Sequence, residues 1–163
     1  MMLPKEYWIE KLGLIPHPEG GYYKELPAAN VWLAEQDRPL YTNIYFLLTA
    51  DSPSHLHALT ADEVWYFHYG SSLQVHEILP DGAYQKTTVG LDLAAGDVLQ
   101  YTVNHGHIFG SSVAAGDDYA LVSCMVAPGF TFADFKLFSQ AELHARFPQH
   151  HELINELAVE KVD

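Results

Sequence analysis

Short apolar and aromatic runs, in places alternating apolar with polar, recur along this chain between turn signals, the pattern of strands. Leu73-Gln74-Val75-His76-Glu77-Ile78-Leu79 alternates as far as Ile78, and Pro80-Asp81-Gly82 then supplies turn chemistry. Val64-Trp65-Tyr66-Phe67-His68-Tyr69 is aromatic-rich and closes on Gly70, as a strand entering a tight turn does. The pattern predicts strands over 22–25, 42–49, 63–69, 72–79, 84–89, 98–103, 107–112 and 119–126, enough for a sandwich or jelly-roll barrel. Helical spacing is confined to the ends. Tyr7, Trp8, Lys11 and Leu12 recur at helix spacing over 5–14 before Gly13 breaks the run. Ser139-Gln140-Ala141-Glu142 has the form of a capping box, opening a helix that Pro148 should stop, and a second helix is predicted over 150–159. Residues 15–25 read as a Pro/Gly-rich connector.

Composition narrows the function classes. At 163 residues with 48% hydrophobic positions, the chain can bury a core of its own and reads as a single domain over 1–163. It carries 21 acidic against 8 basic side chains, a formal charge of −13 that repels phosphate backbones and anionic lipid. Nucleic acid and membrane are therefore not expected as partners. The opening residues lack a signal-peptide pattern and no apolar run reaches membrane-spanning length, so a cytoplasmic location is the expectation. Cys124, the sole cysteine, lies in an apolar run and reads as a buried, unreactive thiol.

The chemistry concentrates in Ser54-His55-Leu56-His57, followed by Asp62-Glu63. Two histidines separated by one residue face the same way on an extended chain. With a carboxylate on the next strand they suit a divalent-metal shell, an acid–base pair, or a polar pocket free of metal. Trp65 and Phe67 share the parity of Glu63 and are expected to line the same cavity, whereas His68 has the opposite parity and should face outward. Gln100 lies among apolar neighbours, where a buried amide requires partners. His144, His150 and His151 occupy a polar, turn-like setting and read as surface residues.

His-x-His, five residues, Glu, six residues, Gly resembles the first motif of the cupin superfamily with one extra loop residue. The run from Gly96-Asp97 through Asn104-His105-Gly106-His107-Ile108-Phe109 resembles the second. It departs from that motif in two places: Asn104 stands at the usual proline and Phe109 at the last histidine of metal-binding members. Pro16-His17-Pro18-Glu19-Gly20-Gly21-Tyr22-Tyr23, Thr42-Asn43-Ile44-Tyr45-Phe46, Asp62-Glu63-Val64-Trp65 and Ala127-Pro128-Gly129-Phe130 are similar to cupin family 5, whose reaction is not established.

The resemblance implies an all-β cupin double-stranded β-helix, a jelly-roll barrel with short N-terminal and C-terminal helices, that pairs as a homodimer. It implies a small-molecule cavity with His55, His57 and Glu63 as candidate catalytic groups and Trp65, Phe67, Gln100 and Phe109 as candidate pocket walls. Three functions follow. The first is acid–base chemistry on a small polar molecule such as a sugar derivative, in the manner of an isomerase or epimerase. The second is a metal-dependent reaction in which His55, His57, Glu63 and His107 hold Zn, Mn, Fe or Ni. The third is ligand binding or storage without turnover. The Glu19-Gly20-Gly21-Tyr22 loop is expected either at the cavity mouth or in the dimer contact.

Overall fold

The computed structural model describes residues 2–113 and 119–162. Its strands in chain order are β1 (Ile15–Pro16), β2 (Tyr22–Leu26), β3 (Trp32–Leu33), β4 (Arg38–Pro39), β5 (Thr42–Thr49), β6 (Ser54–Leu59) and β7 (Asp62–Gly70). They continue with β8 (Leu73–Ile78), β9 (Tyr84–Val89), β10 (Gln100–Val103), β11 (Ile108–Val113), β12 (Tyr119–Ala127) and β13 (Phe135–Leu137). One sheet runs β1-β2-β5-β12-β7-β10, the facing sheet runs β13-β6-β11-β8-β9, and β3 and β4 form a separate hairpin. Every named pairing is antiparallel.

Strand alternation sorts the core into three layers. Phe46, Leu48, Trp65, Val122 and Cys124 of the six-stranded sheet meet Leu59, Leu73, Val75 and Phe109 of the five-stranded sheet. Leu47, Tyr119 and Leu121 face the other way and lie under α1 (Lys5–Leu12), which lays Trp8, Ile9 and Leu12 on them. On the opposite side Leu56, Ile78 and Ile108 are covered by Leu143 of α2 (Gln140–Arg146) and by Ile154 and Leu157 of α3 (His151–Leu157). Where helices cover them the sheets are thus buried on two faces, which is why buried positions in β6 and β8 run together instead of alternating cleanly.

The helix signals act as read. Gly13 takes the left-handed conformation at φ 66° and ends α1 after Leu12, while the Ser139 hydroxyl accepts the Glu142 N–H at 3.2 Å and caps α2. α2 stops at Arg146, ahead of Pro148. The structure adds to the predicted strands β6, expected only as extended chain around His55 and His57, the two-residue pieces β1, β3 and β4, and the short β13 that extends the five-stranded sheet beside β6. β10 begins at Gln100, later than expected, because Val98 is spent on a parallel bridge to Val89.

Candidate functional site

Glu19 is the centre of the site, and backbone geometry delivers it there. Gly20 and Gly21 have φ values of 108° and 76°, in the region side chains resist. They also press the loop onto its neighbours: a Cβ on Gly20 would meet the Pro53 carbonyl at 1.9 Å, and one on Gly21 would meet the Leu48 side chain at 2.5 Å. The tight turn leaves Glu19 5% exposed, inside the barrel.

Three histidines hold that residue. The Glu19 N–H donates to His17 Nδ1 at 3.1 Å, and the His55 N–H and Nδ1–H donate to the Glu19 carbonyl at 2.8 and 2.7 Å. Ser54 Oγ donates to Oε1 at 3.2 Å. His57 Nε2 lies 3.1 Å from Oε2. His57 Nδ1 sits 2.7 Å from the His55 carbonyl, an acceptor only, so Nδ1 carries a proton and Nε2 of the neutral ring offers a lone pair. A hydrogen bond between Nε2 and Oε2 then requires one proton shared by the two groups. Burial decides its placement: it pushes His57 down to about 4 and Glu19 well above the usual carboxylate range, with the nearby Glu63 raising Glu19 further. Burial thus disfavours the charged form of both partners, which face each other at 3.1 Å.

Glu63 reaches the same space from β7, with Trp65 and Val126 as its strand neighbours and cross-strand partner. Burial lifts it to about 7, partly offset by the hydrogen bond from the Cys124 thiol. The thiol itself is pushed well up by burial and then by Glu63, so Cys124 is a donor and not a ready thiolate, in keeping with the inert reading.

These groups line a cavity of about 230 Å³. Its polar floor is His17, Glu19, His57 and Glu63; Tyr23, Ile44 and Phe130 supply apolar and aromatic wall; Glu25 and Ala28 are exposed at its edge. The His17 ring packs edge-on to Tyr23 at 4.5 Å, and burial holds its pKa at about 4.

A family model described as "Cupin superfamily (DUF985)" matches residues 6–138. The chain belongs to the cupin superfamily. An uncharacterized protein of Saccharomyces cerevisiae is 30% identical over 138 residues, which cover 74% of this chain and 68% of that one. Two solved structures are similar over nearly the whole length. A hypothetical protein from Leishmania major shares 45% identity with a TM-score of 0.91, covering 97% of this chain and 100% of its own. A Shewanella oneidensis protein shares 44% identity with a TM-score of 0.93, covering 98% and 100%. Oxalate decarboxylase of Bacillus subtilis shares the fold, at 19% identity and a TM-score of 0.56, over 90% of this chain and 37% of the enzyme.

Within this cupin barrel, His57 and Glu63 line the cavity as expected, and His55 supports it through Glu19. The expected walls are corrected. Trp65 is fully buried between Phe46 and Phe109, and Phe67 packs against the same core away from the cavity. Phe109 packs against His57 at 4.2 Å with the rings tilted and fills core, so its part is to dry the imidazole. Gln100 is exposed: it pairs with Tyr66, one residue out of phase with Trp65, and so shares the outward face.

The expected metal shell does not assemble. Phe109 is the cross-strand partner of both His57 and Glu77, placing Glu77 two strands, about 10 Å, from His57. His107 Nδ1 is bound to Glu77 at 2.8 Å, with Tyr101 donating to the same carboxylate. His55 and His57 have their Nδ1 atoms committed to carbonyls, and His57 Nε2 faces Glu19. Among the described residues no three His, Cys, Asp or Glu side chains converge as a metal site. His55, His57, Glu63 and His107 therefore do not fit a shared Zn, Mn, Fe or Ni ion.

Glu19 and His17 are the site residues the sequence reading did not assign. The signal available was the pair of adjacent glycines after Glu19, which marks a backbone forced close to something. His144, His150 and His151 stay outside the cavity, His144 on Asn155 and His150 on the Gly82 carbonyl. His68 is exposed on the outer side, as parity required.

Proposed function

We propose that this cupin binds a small polar molecule in the barrel and moves a proton on it, as an isomerase or epimerase does. What carries the reading is the approach of His57 Nε2 to Glu19 Oε2 at 3.1 Å, both groups buried, in the same enclosed space as Glu63. Glu63, held near 7, can take a proton from carbon as carboxylate and return it as acid, while the Glu19–His57 pair supplies one to the substrate's oxygen. His55 is a positioning residue, since it grips the Glu19 carbonyl. A cavity of about 230 Å³ lies below the range that takes drug-sized ligands, which supports a compact substrate such as a sugar derivative.

Incubating the protein with unphosphorylated hydroxyaldehydes and hydroxyketones in D2O, with mass spectrometry of the recovered compound, tests this. The expected result is one deuteron beside the carbonyl, slowed by at least ~100-fold in Glu63→Gln and His57→Asn. Binding by NMR with no exchange on any compound would make the protein a non-catalytic binding module. The reading further takes residues 1–163 as one domain acting as a homodimer in a reducing, cytoplasmic setting, supported by the free Cys124 and the exposed apolar hairpin residues Val31 and Trp32.

A further inference from the structure

The cavity is closed to anions. None of the eight Lys and Arg side chains lines it, and Arg38, buried nearby in sequence to β5, is committed to Asp134 at 3.0 Å. A glycine loop can cradle phosphate through free backbone N–H groups, but here they are spent. The Gly20 N–H donates to the His17 carbonyl at 3.0 Å and the Gly21 N–H to Ser52 Oγ at 2.9 Å, while the Glu19 N–H goes to His17. The cavity's histidines are uncharged, because both His17 and His57 are buried.

The same surfaces suit a cation. Glu63 is 5% exposed, lines the cavity, and has only a neutral thiol as hydrogen-bond partner among the described residues. Once ionised, a buried carboxylate needs a counter-charge, and no Lys or Arg lines this cavity to supply one. Glu25 stands exposed at the edge, Tyr23 and Phe130 present aromatic rings, and the chain's charge of −13 draws cations toward it. Resting on the proposed role of Glu63, we infer that a small amine occupies this cavity in place of the substrate, its ammonium seated on Glu63 and blocking proton transfer there, and that phosphorylated and carboxylated analogues are excluded. Proton balance is simple: the ammonium displaces the Glu63 proton to solvent and an ion pair forms in its place.

The test uses carboxyl-13C-labelled glutamate and follows the Glu63 titration by NMR, assigned with Glu63→Gln, in the free protein and with three isosteres: ethanolamine, ethylene glycol and glycolate. In the free protein Glu63 should titrate near 7; an ordinary carboxylate titration would defeat the acid–base reading itself. Saturating ethanolamine should lower that midpoint by about one pH unit or more, a tenfold proton-linked preference. Ethylene glycol should leave it in place and glycolate should not lower it. A midpoint near 7 that ethanolamine fails to move, or moves no more than ethylene glycol does, overturns the amine inference alone. Tighter binding of glycolate than of ethanolamine overturns it as well.

Discussion

Glu63 shows how one buried group ties stability to chemistry. Both folded and unfolded chains carry its proton below about 4.5; between about 4.5 and about 7 only the folded chain keeps it. The native state then binds more protons than the unfolded one, so this group's contribution falls as pH rises across that window. His57 acts oppositely, since the unfolded imidazole takes its proton near 6.5 and the folded one near 4, which costs stability as pH drops between those values. Replacing Glu63 by Gln removes the first effect and keeps the shape. Urea unfolding of both proteins from about pH 4.5 to above pH 7 should show the variant gaining about 3 kcal/mol relative to the parent, from roughly 1.4 kcal/mol per pH unit across a 4.5-to-7 span. Parallel stability curves would mean that Glu63 ionises as easily in the barrel as in the unfolded chain.

At the level of elements, the turn between β1 and β2 decides whether the site exists. Period-two patterning exposes strands because burial on one face leaves a mark at every second residue, while the His-x-His spacing and the cupin resemblance made His57 on β6 and Glu63 on β7 legible and helix signals marked both ends. Parity gives the face of a sheet but not the position along the barrel axis. That is why Trp65 and Phe109 were correctly placed inside the barrel yet wrongly placed at the cavity. Gln100 failed for another reason: where β10 starts and what it pairs with set its face, and a four-residue edge strand leaves too little alternation to read. Glu19 was missed because a turn has no period. Its position depends on the two left-handed glycines, so Gly20→Ala should both strain the backbone and drive a Cβ into the Pro53 carbonyl. The expected loss is about 3 kcal/mol in chemical denaturation, together with a drop of the Glu63 titration toward ordinary values as the neighbouring carboxyl withdraws and water enters. A variant of unchanged stability with an unchanged Glu63 titration would show that the turn does not set the site.

For the molecule as a whole, the two sheets are buried on both faces only in part. α1 covers part of the outer six-stranded face through Leu47, Tyr119 and Leu121, while α2 and α3 pack on the five-stranded one. What remains open includes the edge strands β1 and β10 and the β3–β4 hairpin, where Val31 and Trp32 are each 58% exposed and Leu40 43%. An unpaired edge beside apolar side chains invites association, and in soluble proteins a two-fold pair is the commonest way to cover such surface. The charge of −13 works against this through mutual repulsion, most strongly at low salt where screening is weak. Dimerisation driven by apolar contact should therefore strengthen as salt rises, the reverse of an association held by ion pairs. Sedimentation at micromolar protein should give twice the 18.3 kDa chain mass, with the dimer fraction growing from low to physiological salt and falling in Trp32→Ser. A single 18.3 kDa species across the salt range would assign the exposed hairpin some other partner and leave the cavity complete within one chain.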